Sequence, residues 1–376
     1  MKESKRKFKE LITSSFYGVA IGDALGVPVE FSSRSKLDNK PIVHMEGDRT
    51  YKQEKGTFSD DTSLTLATAI GLCNKSKKQD YLYNIIYEFA NWLFNGKYAV
   101  KKNVFDVGNT TRQAITEFVL YNNSFVSSSE PSYYSNGNGS LMRMLPIAFY
   151  MYSKDEFKSF DRRKEFVSEI SNLTHKHIIS KICCIIYCEV ALDIIIQQIN
   201  NTFSISNLTD TIKIAIERVY HSYCLSMDTE EYMSELNDIF HYHFLNFTRN
   251  EIKSTGYVID TLVSVFWCIT HTTSYSEAIL TAVNLGGDTD TIGSITGGLA
   301  GLMYDFNDIP KDWFEDLRGK KIINKVVSKF TKKIKLKLIW ILKENENEVF
   351  MYYYCYCTFD CRNYSYSFKS KGKSGW

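Results

Sequence analysis

Apolar residues recur at helical spacing almost everywhere in this chain. Leu82, Ile85, Ile86, Phe89, Trp92 and Leu93 form one stripe at i, i+3, i+4, i+7. Val258, Ile259, Leu262, Val263, Phe266 and Trp267 form another, and Ile292, Ile295, Leu299 and Leu302 a third. No sustained two-residue alternation with hairpin turns, and no repeat of fixed period, competes with this pattern. Five prolines in 376 residues (Pro28, Pro41, Pro131, Pro146, Pro310) leave long stretches in which a helix meets no break. The pattern predicts an all-α fold. The third stripe is unusual because Gly293, Gly297, Gly298 and Gly301 sit inside it. Each costs a helix interior about 1 kcal/mol, so four predict close backbone packing or the approach of a ligand.

A chain of this length forms one large domain or two ordinary ones. Its 44% hydrophobic and 23% charged residues exclude disorder as the main state. Lys and Arg number 45 against 43 Asp and Glu, so no net field draws nucleic acid or an anionic membrane, and neither is expected as a partner. The charged segment Met1–Glu10 is followed by no uninterrupted apolar core of a signal peptide. Ile178–Ile196, read as the most apolar stretch, carries Lys181, Glu189 and Asp193, which suits a buried helix and not a bilayer span. Nine cysteines, an odd number without a secretory signal, fit reduced thiols. Cys183, Cys184 and Cys188 are expected in the core. The expectation is a cytoplasmic protein, with a monomer favoured and the oligomeric state otherwise open.

Two regions stand apart. Residues 122–140 are rich in Ser, Asn, Gly and Tyr and read as a loop embedded in the domain. From Lys332 the chain turns basic and apolar, then runs through Met351-Tyr352-Tyr353-Tyr354-Cys355-Tyr356-Cys357. Cys355, Cys357 and Cys361 invite a zinc reading, but no fourth Cys or His lies nearby, so an appended tail is the better description.

The chemistry concentrates in two acidic clusters. Gly56-Thr57-Phe58-Ser59-Asp60-Asp61-Thr62 precedes one apolar helical run, and Gly286-Gly287-Asp288-Thr289-Asp290-Thr291 precedes the glycine-rich one. Asp, Ser and Thr at helix starts are N-caps in the structural reading. One cap needs one residue, however, and adjacent carboxylates repel one another without a cation. Four carboxylates and two hydroxyls, with no Cys or His, suit Mg²⁺ or Mn²⁺ better than zinc. Both readings stand on spacing alone.

Gly18-Val19-Ala20-Ile21-Gly22-Asp23-Ala24-Leu25-Gly26-Val27-Pro28-Val29-Glu30-Phe31, Gly56 to Thr62, and Phe105-Asp106-Val107-Gly108-Asn109-Thr110-Thr111-Arg112 follow one another in the sequence. Gly137-Asn138-Gly139-Ser140-Leu141-Met142-Arg143, Leu173-Thr174-His175, Gly256-Tyr257-Val258-Ile259-Asp260-Thr261 and Asn284 to Gly301 complete the series. With these seven blocks in order, the chain resembles the ADP-ribosylglycohydrolases, and most closely the branch of the dinitrogenase-reductase-activating glycohydrolase. The likeness spans residues 11–331; the tail, 332–376, has no counterpart in it.

The resemblance implies a compact, all-α, orthogonal multi-helix bundle with a dinuclear metal cleft. It implies two Mg²⁺ or Mn²⁺ ions and removal of ADP-ribose from mono-ADP-ribosylated protein or another ADP-ribose conjugate. Carried over by position, Ser59, Asp60, Asp61, Asp288, Asp290 and Thr291 are the metal ligands; Ser59 stands where threonine is usual and keeps the hydroxyl. Asp106 is the favoured acid/base and substrate-orienting carboxylate, and Glu30 the second. Each also has a structural reading, Asp106 as the cap of the helix near Asn109 and Glu30 as the end of a buried turn. Gly137, Asn138, Gly139 and Ser140 look like the turn that meets the pyrophosphate, and His175 like the histidine on the nucleotide side of the cleft. Asp23 reads as a buried helix-orienting carboxylate; His177, His241, His243 and His271 read as structural.

The Phe105–Arg112 stretch is most similar to the branch that cleaves the N-glycosidic bond to arginine. Serine-linked ADP-ribose and O-acetyl-ADP-ribose are the alternative substrates. A non-catalytic ADP-ribose-binding or crystallin-like relative would be expected to lose carboxylates that this chain keeps. A different metal-dependent hydrolase would share the aspartates without needing the Phe105–Arg112 and Gly137–Arg143 blocks together.

Overall fold

A computed structural model describes residues 2–74, 80–121, 132–224 and 230–334, all within one compact unit, Met1–Lys337. Its first half holds α1 (Lys2–Gly26), α2 (Arg34–Asn39), α3 (Asp60–Cys73), α4 (Tyr81–Asn95), α5 (Asn109–Leu120), α6 (Leu145–Tyr152), α7 (Phe160–Ser171) and α8 (Ile178–Asn200). Then come α9 (Leu208–Tyr223), α10 (Glu230–Met233), α11 (Asn237–Phe240), α12 (Val258–Thr270), α13 (Tyr275–Val283), α14 (Thr289–Met303), α15 (Lys311–Asp316) and α16 (Lys320–Lys333). Among the described residues, β-structure is limited to one bridge between Gly137 and Tyr257. The fold is all-α, as the periodicity predicts.

The glycines of α14 resolve as a packing device. A methyl group on Gly18 of α1 would lie 2.0 Å from the Gly297 carbonyl oxygen, and one on Gly22 would lie 1.9 Å from that of Gly293. Only hydrogen fits, so α1 and α14 run backbone against backbone. At the next turn Gly26 meets the backbone of Asp290, and the Thr289 hydroxyl donates to the Gly26 carbonyl at 2.8 Å. This contact joins the C-terminal end of α1 to the N-terminal end of α14, where one acidic cluster begins.

The N-terminus of α3 is brought to the same place by Asp23. Its Oδ1 accepts from the Ser59 amide at 2.8 Å, and its Oδ2 accepts from the Thr62 amide at 3.0 Å and the Thr62 hydroxyl at 2.5 Å. Asp23 therefore orients α3, in agreement with the sequence reading. Phe16 of α1 packs on Phe330 of α16, and Ile85 of α4 closes on Gly71 of α3. Three helix ends thus converge on one point.

By length and composition alone Glu3–Val29, covering most of α1 and the turn after it, is long and apolar enough to cross a membrane, whereas Ile178–Ile196 of α8 is not singled out. In the fold 94% of that apolar window is buried, against α14 above all. Cys183, Cys184 and Cys188 are fully buried in α8. Residues 122–131 of the Ser/Asn/Gly/Tyr-rich loop and 335–376 of the tail, with its three cysteines, lie outside the described residues.

Candidate active site

Ser59 is the N-cap of α3, and Asp60 and Asp61 open its first turn. Asp288 precedes α14, and Asp290 and Thr291 lie in the first turn of that helix. The left-handed backbone at Gly286 and Gly287 makes the preceding bend; a side chain at Gly287 would strike the Ser254 carbonyl at 2.0 Å. All six residues of the two clusters meet where α3, α14 and α1 end.

Within this group, oxygens of Asp23, Asp61 and Asp290 lie within 4.8 Å of one another, as do those of Glu30, Asp288 and Asp290. Asp290 belongs to both triads. The Ser59 hydroxyl reaches Asp61 Oδ2 at 3.1 Å and the Thr291 hydroxyl reaches the same oxygen at 3.4 Å. Asp60 is buried beside them, outside both triads.

Capping does not use up these groups. Asp61 Oδ1, Asp288 Oδ1, Asp290 Oδ2 and Glu30 Oε2 are buried and have no hydrogen-bond partner among the described residues. Leaving a buried carboxylate oxygen unpaired is costly, so the donor set fits a hard cation that takes oxygen ligands. Burial, then neighbouring carboxylates, holds Asp60, Asp61 and Asp290 well above the usual carboxylate range. Burial raises Asp23 to about 7, and burial with the Asp106 charge raises Glu30 to about 9. Protonation relieves the repulsion among these carboxylates, as a bound cation would.

Asp106 faces the acidic group from the loop before α5. It does not cap that helix: the N-cap position is Gly108, without a side-chain bond. Instead Asp106, in left-handed backbone at φ 50°, accepts from the Tyr51 hydroxyl at 2.7 Å. Glu30 follows the 3-10 turn Val27–Val29, so it does end a buried turn while its unpaired oxygen joins the second triad.

The Gly137–Ser140 turn departs from a simple phosphate cradle. The Asn138 amide is already donated to the Gly256 carbonyl at 3.0 Å. Its carboxamide donates to Thr261 Oγ1 at 2.9 Å and to Asp288 Oδ2 at 2.7 Å, so Asn138 orients a cluster carboxylate. The Ser140 hydroxyl is fully buried against the Cys184 thiol at 3.3 Å and faces the core. Neither Gly137 nor Gly139 has left-handed backbone, and the element that follows is a single 3-10 turn, Leu141–Arg143. The glycines matter for space: a methyl on Gly139 would fall 2.9 Å from Thr111 Oγ1 and 3.0 Å from His175 Cε1. The Gly139 and Ser140 amides donate to nothing among the described residues. His175 is buried beneath the turn, and its pKa is pulled down to about 3 by burial and by the Arg143 charge.

The family profile of ADP-ribosylglycohydrolases matches residues 4–338. The chain belongs to this family. It is 28% identical over 300 residues to "ADP-ribosylarginine hydrolase Tri1" of Serratia proteamaculans, covering 80% of this chain and 73% of that protein. It is 27% identical over 309 residues to "ADP-ribosyl-[dinitrogen reductase] glycohydrolase" of Rhodospirillum rubrum, covering 81% and 90%. The solved structure of an "ADP-ribosylglycohydrolase-related protein complex" shares the fold, with a TM-score of 0.66 and 20% identity over 88% of this chain and all of that one.

Seen as an ADP-ribosylglycohydrolase, the chain holds site residues that spacing did not reveal. Tyr51 lies in a loop without a motif, yet it binds Asp106, and its ring packs on Phe105 at 5.2 Å. Burial, Glu30 and Asp106 together push its phenol up, so it stays a proton donor. Asn138 was legible as a turn residue but not as the partner of Asp288, which lies 150 positions away.

Proposed function

We propose that the protein removes ADP-ribose from mono-ADP-ribosylated protein by hydrolysing the N-glycosidic bond to arginine, with two Mg²⁺ or Mn²⁺ ions held in the acidic cluster. The observation that carries this reading is the convergence of four buried, unpartnered carboxylate oxygens from Glu30, Asp61, Asp288 and Asp290. With Ser59, Asp60 and Thr291, the aspartates would hold the ions. Such ions, when bound, supply charge stabilisation and bind ribose hydroxyls beside the anomeric carbon.

The chain's own residues set up the rest. Asp106, fixed by Tyr51, offers a carboxylate at the rim of the cluster. A guanidinium leaving from the sugar is a planar cation with N–H donors that pairs with such a carboxylate. Glu30, raised to about 9 by burial and by Asp106, is placed to hand over a proton or hold one. Nearby carboxylates stabilise the positive charge that builds at the sugar as the bond breaks. The similarity to an ADP-ribosylarginine hydrolase supports an arginine linkage, and the similarity to an ADP-ribosyl-[dinitrogen reductase] glycohydrolase supports a modified protein as substrate. The buried thiols of Cys73, Cys183, Cys184, Cys188 and Cys268 support a cytoplasmic setting.

The test is incubation with arginine-, serine- and cysteine-linked mono-ADP-ribosylated peptides in Mg²⁺ or EDTA, following free ADP-ribose. Release is expected to be fastest from arginine and to stop in EDTA. Asp106→Asn is expected to lower turnover far more than it weakens binding of free ADP-ribose. Faster release from serine, or full activity in EDTA, overturns the reading.

A further inference from the structure

Arg143 is a buried cation that pairs with no anion among the described residues. Its side chain is fully covered, its guanidinium lies 4.7 Å from the Phe89 ring centroid, and Nε and Nη1 have no partner among the described residues. Burial alone lowers its pKa to about 10, so it remains charged at neutral pH. Such a group is expensive to keep, and nothing in the metal cluster or the proposed reaction uses it.

Its one short hydrogen bond starts a chain. Nη2 donates to Thr174 Oγ1 at 2.8 Å, with a longer bond to the Ile170 carbonyl at 3.4 Å. Arginine can only donate, so the Thr174 oxygen accepts. The hydroxyl then has its own proton to place, and the acceptor it meets among the described residues is His175 Nδ1, at 2.8 Å. With Nδ1 accepting, neutral His175 carries its proton on Nε2. That nitrogen points to the Gly137–Ser140 turn: methyl groups on Gly139 and Gly137 would lie 3.4 Å and 3.7 Å from it.

We propose that Arg143 and Thr174 are positioning residues whose hydrogen-bond relay fixes His175 as a neutral Nε2–H donor facing the Gly137–Ser140 turn. The donor is offered to an acceptor oxygen of the ligand bound there, beside the Gly139 and Ser140 amides, which have no acceptor among the described residues. The ligand's identity as ADP-ribose rests on the proposed function; the tautomer does not. The proximity of the Arg143 charge also opposes a second proton on His175, which keeps Nδ1 available as the acceptor.

The full-length protein, labelled with ¹⁵N-histidine, reports the tautomer directly by two-bond N–H correlation, with His175→Ala assigning the signal. ADP-ribose affinity is measured by calorimetry on the same samples. His175 is expected as the Nε2–H form. Thr174→Val is expected to lose that fixed form and to weaken ADP-ribose binding about 10-fold, whereas Thr174→Ser, which keeps the hydroxyl, restores both. An Nδ1–H signal in the unmodified protein overturns the relay even if Thr174→Val fails to fold. Unchanged tautomer and affinity in folded Thr174→Val overturn it as well. An Nε2–H signal in a protein that binds no ADP-ribose supports the relay and counts against the proposed function instead.

Discussion

Two buried acidic groups in this molecule have opposite electrostatics. Glu189 of α8 is 1% exposed, but Arg163 grips both its oxygens at 2.6 and 2.8 Å and Arg218 adds a bond at 2.6 Å. Arg218 also reaches Asp193 at 3.1 Å. Burial works to raise the Glu189 carboxyl, yet the two arginines outweigh it and hold it below its ordinary value. In the cleft, Asp60, Asp61 and Asp290 are equally hidden, and among the described residues no lysine or arginine pairs with them. Their carboxyls rise accordingly. An acidic group that carries its own cations ties helices together; one without a lysine or arginine partner leaves its oxygens open to a cation from outside.

The comparison breaks if the two groups respond alike to truncation. Asp288→Ala and Asp60→Ala are expected to reduce hydrolysis by more than about 100-fold while the helical signal stays intact. Their melting temperature without metal should hold or rise, because a repelling charge is gone. Glu189→Ala should do the reverse. It strands Arg163 and costs about 3–5 kcal/mol of stability, with turnover per folded molecule near that of the unmodified protein. Circular dichroism melts and a turnover assay on the same samples separate the two outcomes. Equal loss of stability in both sets would mean that the cleft carboxylates are also structural.

A smaller effect sharpens the metal side of the contrast. Asn138 donates to Asp288 without belonging to the cluster, so Asn138→Ala should weaken Mg²⁺ or Mn²⁺ about 10- to 100-fold, measured by metal titration of activity. Excess metal should restore most of the rate. If it does not, Asn138 contributes more than the orientation of one carboxylate.

The pH response carries its own sign. Cleft carboxyls raised in the folded state hold protons that the unfolded chain releases near pH 4. Metal-free stability is therefore greatest when they are protonated and falls as pH rises through the value near 7 for Asp23 and near 9 for Glu30. Melting in EDTA is expected to drop between about pH 4 and pH 9, and saturating Mg²⁺ to remove that drop. A flat EDTA curve would show that the crowding is relieved from within the protein.

How far the sequence could be read follows from which contacts are local. Helical periodicity and scarce prolines imply the all-α fold, and the glycines of α14 announce a close approach whose partner in α1 lies 279 positions earlier for Gly18 and Gly297 and 271 for Gly22 and Gly293. The six cluster residues are legible because each group sits within a few positions of a helix start. Their convergence, and the triads around Asp290, depend on the α1–α14 contact and on Asp23 reaching α3, which no local pattern encodes. The turn at Gly137–Ser140 shows the opposite case. Its motif is plain, but the Asn138 carboxamide turns to Asp288 and the Ser140 hydroxyl to Cys184, because burial and distant partners direct those groups.

Tyr51 provides the finest test of how the cleft is kept ready. Asp106 stands in left-handed backbone, a conformation that a non-glycine residue keeps only when its surroundings hold it. The Tyr51 hydroxyl donates a hydrogen bond to its carboxylate, and the Phe105 ring supports the tyrosine from the side. Tyr51→Phe removes that bond and leaves the ring contact. A net hydrogen bond of about 1 kcal/mol corresponds to roughly a fivefold change, so turnover on arginine-linked substrate should fall by about that much. Affinity for free ADP-ribose should stay the same, because Asp106 is assigned to the leaving group and not to the nucleotide. A matching loss of ADP-ribose affinity would place Tyr51 and Asp106 on the ligand itself, and the division of labour between the cluster and its rim would have to be redrawn.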